Sequence, residues 1–341
     1  MTLRTADFDY LLPPELIAQH PLPDRGASRM LVVHRATERL EDKTFADLPA
    51  LIPPGDLLVL NTTRVRHARL LGTRSSGAPA EVLLLHPAAD GNWIAMGKPG
   101  SALRPGKRIA LSPDISIETV EVFPDGNRSV RFVGASAEEV ISRFGRLPLP
   151  PYIDRDPDAA DETGYQTVYA DRESSVAAPT AGLHFTAAAL AAIEQRGVYI
   201  GRLELEVGPG TFKPVESDDL SQHHMHPERY DIPGSLVRMV QETKQRGNHV
   251  WAVGTTVVRA LESAAASGIL RPGGASTTLM ITPGFQFRIV DRLLTNFHLP
   301  RSTLLMLVSA LAGHRLTMRA YHHAVERRYR FYSYGDAMLI L

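Results

Sequence analysis

The 341-residue chain carries 37 Lys plus Arg against 37 Asp plus Glu, so its formal net charge is zero and a polyanionic partner must be met by local basic clusters. Cysteine is absent, which excludes disulfides, thiolate metal sites and a cysteine nucleophile. The stretch MTLRTADFDYLLPPEL lacks the apolar core of a secretory signal, and the longest apolar run, Leu304 to Leu311, falls short of the roughly 20 residues of a membrane span, so a cytoplasmic protein with no membrane association is expected.

In chain order, ELIAQ after Pro13 and Pro14 predicts a short helix and RMLVVHR a strand. DLLVLN predicts a second strand after the turn signal Pro53-Pro54-Gly55. It carries Asn61, Thr62, Thr63 and Arg64 to its C-terminal end, the edge where open α/β sheets hold ligands. From Val65 to about Val133 come short alternating runs, VRHARLLGTR, AEVLLLH, NWIAMG, KRIALS, ISIETVEVF and SVRFV. The turns Ser76-Gly77, Asp90-Gly91, Pro105-Gly106 and Asp125-Gly126 separate them, which predicts a small antiparallel barrel or sandwich. Ser136 with Glu139 then caps a helix that Gly145 ends, and the three prolines of LPLPPYIDR make an extended connector.

Beyond the connector, strands and capped helices alternate. Thr186 caps AAALAAIEQR, VYIGRLELEV is a strand, SLVRMVQETKQR a helix, HVWAVG a strand, TVVRALESAAAS a helix and TTLMI a strand. A strand near RLLTNF, an apolar helix STLLMLVSALAG, a basic aromatic helix MRAYHHAVERRYRF and a strand AMLIL close the chain. The length suits about two domains. The expected architecture is α/β: a mixed, largely parallel sheet with helical cover from residues 1–64 and 153–341, interrupted by an inserted β unit at 65–152.

The chemistry-bearing stretches are few. SSVAAPTAGLHFT, Ser174 to Thr186, holds no charged residue other than titratable His184, and its small residues deny it a regular pattern. It reads either as a tight core turn or as a pocket wall whose amides approach a ligand. Gly208-Pro209-Gly210-Thr211-Phe212 follows a strand but lacks the third glycine and the helix of a dinucleotide site. Gly254-Thr255-Thr256 opens a helix, a place for an anion, with Arg259 and Glu262 three apart as a surface ion pair in the plain alternative. In QHHMHPE an extended backbone puts His224, His226 and Glu228 on one face at metal-ligand spacing, although isolated clusters of this sort are more often surface loops. Arg64, Arg66, His67, Arg69 and Arg74, and Arg315, Arg319, Arg327, Arg328 and Arg330 among Tyr321, Tyr329 and Tyr332, could neutralise phosphates and stack bases or simply form solvated faces.

Taken together, VAAPTAGLHF, YQTVYA, LPLPPYIDR, GTFKPV, AVGTT with Arg259, TNFHLP followed by Ser and Thr, and SYGDAM resemble the S-adenosylmethionine:tRNA ribosyltransferase-isomerase family of queuosine biosynthesis, nearly end to end. The resemblance implies an α/β domain with an inserted antiparallel β-barrel. It also implies a reaction in which the ribosyl part of S-adenosylmethionine moves to 7-aminomethyl-7-deazaguanine in the tRNA anticodon, giving epoxyqueuosine and releasing adenine and methionine. No metal or redox cofactor is implied, and a monomer is expected.

Against that chemistry, His184, His226 and His298 are the candidate bases, His184 first. Tyr165, Gln166 and Tyr169 suit a stacked base; Pro179, Thr180, Ala181 and Gly182 a pocket wall; Gly208, Gly210, Thr211 and Phe212 the sugar or sulfonium. Thr255, Thr256 and Arg259 suit the methionine carboxylate, Asn61, Arg64 and Asn296 ribose or anticodon contacts, and Glu228 a polar substrate group. Glu206 stands where the family often has His, and Thr62 where Asn or Asp is usual, so neither position supplies those groups here. A metal-dependent hydrolase on His224, His226 and Glu228 and a non-catalytic tRNA-binding protein are the alternatives.

Overall fold

The computed structural model describes residues 4–208, 210, 220, 223 and 225–341. Thr211, Phe212 and His224 lie outside the described residues. The first strands are β1 (Arg29–His34), β2 (Arg39–Thr44), β3 (Leu57–Asn61) and β4 (Arg64–Val65). Next come β5 (Arg69–Arg74), β6 (Pro79–Pro87), β7 (Trp93–Lys98), β8 (Arg108–Ala110), β9 (Ser116–Val122), β10 (Arg128–Val133) and β11 (Gly145–Arg146). After β12 (Glu173–Ser175) follow β13 (Tyr199–Leu205), β14 (Glu228–Ile232), β15 (Val250–Val253), β16 (Gly273–Thr277), β17 (Arg292–Asn296) and β18 (Ala337–Ile340). The helices are α1 (Leu48–Leu51), α2 (Ala137–Phe144), α3 (Ala159–Gly164), α4 (Ala187–Gln195), α5 (Gly234–Gln245), α6 (Thr255–Ala264), α7 (Thr303–Ala312) and α8 (His314–Glu326).

A nine-stranded sheet runs β16-β14-β13-β3-β15-β17-β18-β1-β2. Its centre is parallel, β13 with β3, β3 with β15 and β15 with β17, as is β18 with β1. The other four pairings are antiparallel, so the sheet is evenly mixed where the alternation of elements predicted a largely parallel one. Two of these come from ERYDI, β14, which runs antiparallel beside β13 and pairs on its other edge with β16. The strand expected at TTLMI lies earlier, at Gly273–Thr277, because Thr277 Oγ1 turns the chain by accepting the Leu279 N–H at 3.0 Å. ELIAQ gives only a 3-10 turn, Pro14–Leu16, in place of the expected short helix.

Strand side chains alternate between two apolar layers. Leu57 and Val59 pack with Leu236, Val258, Leu261, Leu307 and Ala320 of α5 to α8. Leu58 and Leu60 face Phe45, Leu48, Phe185 and Ile193 on the other side, with α1 and α4. Being covered on both faces, β3 and β15 are continuous apolar runs rather than alternating ones.

The strands β5 to β11 form a separate antiparallel sheet, β11-β5-β6-β7-β10-β9-β8. Thr73 and Arg74 of β5 also pair with β8, which joins six strands in a ring around Leu70, Val82, Leu84, Ile109, Ile117 and Val130. Gly72 permits the closure, since a Cβ there would lie 2.6 Å from the Ala110 carbonyl oxygen. Ser136 Oγ caps α2 by accepting the Glu139 N–H, and Val140 packs into the ring's interior. Among the described residues no helix is long and apolar enough to cross a membrane.

Candidate functional site

The uncharged stretch after β12 is a buried loop with its polar groups accounted for. Ser175 Oγ accepts the Val207 N–H at 2.7 Å and meets Thr63 Oγ1 at 2.6 Å, which fixes the loop to the ends of β3 and β13. Thr180–His184 forms a 3-10 turn, and its Ala181, Gly182, Leu183 and His184 are buried. Glycine is required at 182, because a Cβ would sit 2.1 Å from Tyr169 Oη.

This loop covers the C-terminal ends of the parallel strands, where it forms one wall of a cleft. Pro179, Thr180 and Ala181 face Gly254, Thr255 and Thr256 after β15, and Thr295, Asn296 and His298 at and after β17. Val207 enters from the end of β13, and Leu205 before it is braced by Asn61. The Asn61 amide is fully engaged: Nδ2 donates to Leu205 O and Thr256 Oγ1, while Oδ1 accepts from the Leu205 and Thr63 amides. Asn61 therefore shapes the cleft from behind. Gly254 turns β15 into α6 at φ 89°, a left-handed conformation suited to glycine, and no side chain caps the helix.

The three candidate histidines occupy different positions. His298 lines the cleft, 9% exposed, with Nε2 2.8 Å from Thr295 Oγ1. Burial pushes its pKa down to about 3, so the ring is neutral at physiological pH. His184 stands one layer behind. Its Nε2 accepts from Asn296 Nδ2 at 3.2 Å, and Nδ1 lies 2.9 Å from Ser28 Oγ, whose hydroxyl reaches Arg25 O. That pattern fits a neutral ring protonated on Nδ1. Burial first, then the charges of Arg330 and Arg25, pushes its pKa down to about 4. His184 opens instead onto a second cavity, lined also by Arg25, Ser28, Ser333 and Tyr334; Ser333 borders both spaces. His226 is exposed and does not line the cleft; its ring lies over Gly210, where a Cβ would approach it to 2.6 Å.

Other sequence candidates lie outside the cleft. Tyr165 is fully buried edge-on against Tyr334. Gln166 clasps Val65, with Oε1 accepting its N–H and Nε2 donating to its carbonyl, a two-bond brace between the insert's entry and the segment after α3. Tyr169 packs on Phe185, and Arg64 donates to the Ala170 and Asp171 carbonyls. A Cβ at Gly208 would meet nothing within 4 Å. Arg259 does not form the expected surface pair with Glu262: it is buried and bonded to Glu228, while Glu262 accepts the amides of Arg288, Ile289 and Val290. The Glu228 carboxylate is thus engaged by a guanidinium. Among the described residues no three His, Asp or Glu are grouped to hold a metal.

Among the cleft residues, Tyr152 and Ser333 had no candidate role in the sequence, and Tyr332 was read only among the stacking aromatics of the basic segment. Tyr152 comes from the connector and stacks at 4.3 Å on Tyr332, and Tyr152 Oη meets Ser333 Oγ at 2.6 Å. Their motifs, LPLPPYIDR and SYGDAM, were visible, but only folding brings them together. After α8 the aromatics turn inward, with Tyr329 and Phe331 in the core, while Arg327 and Arg328 stay exposed.

A family model described as "Queuosine biosynthesis protein" matches residues 5–340. The chain belongs to the queuosine biosynthesis family. The S-adenosylmethionine:tRNA ribosyltransferase-isomerase of Thiobacillus denitrificans is 50% identical over 338 residues, covering 99% of this chain and 97% of its own length. That of Burkholderia cenocepacia is 51% identical over 347 residues, covering 98% and 96%. A solved structure of S-adenosylmethionine tRNA ribosyltransferase from Thermotoga maritima is 38% identical, with a TM-score of 0.58 over 98% of this chain and all of that one. Membership in the queuosine family thus rests on the whole chain rather than on any one motif.

Proposed function

We propose that this protein is an S-adenosylmethionine:tRNA ribosyltransferase-isomerase that moves the ribosyl group to 7-aminomethyl-7-deazaguanine in a tRNA anticodon. The observation that carries the reading is the convergence of the Pro179–Ala181 wall, the α6 N-terminus and Asn296 with His298 on one buried cleft. It is supported by relatives of that name at about half identity over the full chain.

The steps follow from the donor. The sulfonium acidifies the adjacent C5′ proton; a base takes that proton, the bond from the sugar to adenine N9 breaks and adenine leaves with a proton, the aminomethyl nitrogen bonds the sugar and releases a proton, and ring rearrangement to the epoxide breaks the C5′–S bond and expels methionine. His298 is the better-placed acceptor because it faces the cleft with a neutral ring, whereas the Nε2 of His184 is held by Asn296. Forming an imidazolium in this burial is costly, so the transfer is favoured only beside developing negative charge. The largely apolar lining of the cleft limits water around the reactive sugar.

The reading uses no metal or redox cofactor and takes S-adenosylmethionine as a consumed substrate. It divides the chain into an α/β catalytic domain, 1–64 and 153–341, and an inserted barrel, 65–152, in a cytoplasmic monomer. Incubation with S-adenosylmethionine and tRNA bearing the aminomethyl-deazaguanine should release adenine; a folded sample that releases none contradicts the proposal. Bound metal required for turnover would favour a hydrolase instead.

A further inference from the structure

Two residues that line the cleft carry buried polar atoms left without partners. Asn296 is 2% exposed, and both bonds of its Nδ2 are made, to His184 Nε2 and to the Tyr332 carbonyl. Those two bonds fix the amide's orientation. Its Oδ1 then has no hydrogen-bond partner among the described residues, and neither does the buried hydroxyl of Tyr332, which is 6% exposed and lines the same cleft. Tyr332 sits at φ 72°, a left-handed conformation that costs a non-glycine residue energy and is held here by the surrounding contacts. Orphaned buried groups of this kind are expensive unless a ligand satisfies them.

The missing partners have opposite character. Oδ1 can only accept. Tyr332 donates, since burial pushes its phenol up and keeps the proton on. Beside them the ten-residue α6 begins with no side-chain cap, so its first amides and its dipole favour negative charge. Thr256 Oγ1 accepts from Asn61 Nδ2, which leaves its own hydrogen free to donate. Parallel β15 and β17 are neighbours with Val253 opposite Leu294, so the α6 start just beyond β15 and Asn296 at the end of β17 lie side by side at one sheet edge. A carboxylate and an ammonium on one carbon can reach both.

We infer that the cleft binds the α-amino-acid end of S-adenosylmethionine as a zwitterion, with the carboxylate at the α6 N-terminus and Tyr332 Oη and the ammonium at Asn296 Oδ1. This rests on the reading of the cleft as the S-adenosylmethionine site and adds which end of the molecule it holds. The carboxylate is the donor's only anion, which is why the helix end selects it over the adenine or ribose. Tyr332 is a substrate-binding residue in this arrangement, and His184 a positioning residue that acts through Asn296.

The test compares S-adenosylmethionine with decarboxylated S-adenosylmethionine, which keeps the sulfonium, adenosine and amine, in the wild type and in Tyr332→Phe at saturating tRNA substrate. In the wild type the inhibition constant of the decarboxylated compound should exceed the KM for S-adenosylmethionine by about thirtyfold or more. Tyr332→Phe should raise that KM about tenfold, keep kcat within about threefold and leave the decarboxylated compound's inhibition constant within about twofold. Equal binding of the two compounds by the wild type, or equal weakening of both by the substitution, overturns the inference. The wild-type comparison needs no variant and so stands if Tyr332→Phe lowers stability. Adenine release by the wild type together with equal binding would sink this assignment alone; absence of adenine release would remove the underlying activity.

Discussion

The Asn296 side-chain amide donates to His184 Nε2 at 3.2 Å, so the histidine of the apolar loop reaches the cleft only through another side chain. Its other nitrogen is tied to Ser28. A ring held at both nitrogens is suited to orientation rather than to proton transfer.

His184→Gln should therefore keep most of the activity, because a glutamine can accept from Asn296 through its oxygen and donate to Ser28 through its nitrogen. His184→Ala should lower kcat/KM by about tenfold to a hundredfold through loosening of Asn296, and His298→Ala should lower kcat by about 10²-fold or more. Steady-state adenine release measures all three. A His184→Gln protein as inactive as His298→Ala would restore His184 as the base.

The two buried histidines also make stability depend on pH. Their native pKa values, about 4 for His184 and about 3 for His298, lie below the ordinary 6.5, so between these limits the unfolded chain binds more protons than the native one. Their contribution is complete above about pH 6.5 and is lost as pH falls, with a slope of about 1.4 kcal/mol per pH unit for each ring well inside the window. Asp336, held above its ordinary value by burial, opposes this at the acid end. Denaturant midpoints should fall from pH 7 to pH 5, less steeply in His184→Gln. Equal midpoints at the two pH values would contradict the burial assigned to these rings.

Gly254→Ala tests the backbone that starts α6. An added Cβ would meet only ordinary contacts, 3.5 Å from Thr256 Oγ1 and 3.7 Å from Ala181 Cβ, so the cost comes from φ 89°. Unfolding free energy should drop by about 1–2 kcal/mol, and KM for S-adenosylmethionine should rise as Thr255 and Thr256 shift. An unchanged denaturation curve would show that the turn tolerates a side chain.

The buried Arg259–Glu228 pair sets up a third stability experiment. Glu228→Ala leaves a buried guanidinium uncompensated and should cost about 3–5 kcal/mol, whereas adding Arg259→Met should recover a large part of that loss. Denaturant titration of the single and double variants decides it; additive losses would mean that the two side chains do not depend on each other.

Much of this was legible in the sequence, for physical reasons that differ by element. The apolar runs of β3 and β15 and the capped α2 and α4 announce themselves through period and capping chemistry. Gly208 to Phe212, Gly254 to Arg259 and Asn296 to His298 were expected at one sheet edge because each stretch follows a predicted strand; Thr255, Asn296 and His298 line the cleft, Gly208 and Arg259 do not. What was hidden depends on tertiary partners. Whether β14 would run parallel or antiparallel is not written in ERYDI, and Gln166 gives no local sign that Val65 will consume its amide. Arg259 and Glu262 are three apart on a helix, yet buried partners elsewhere outbid their proximity. Tyr152 and Tyr332 meet across 180 residues of chain, which no spacing rule reaches.

Isotope transfer tests the central claim most directly. The protein is given tRNA carrying the aminomethyl-deazaguanine together with S-adenosylmethionine labelled either in the ribose or in the methyl group. The ribose label should become bound to tRNA while the methyl label leaves with free methionine. Methyl label in the tRNA, or no ribose label there from an active sample, would contradict the assigned reaction.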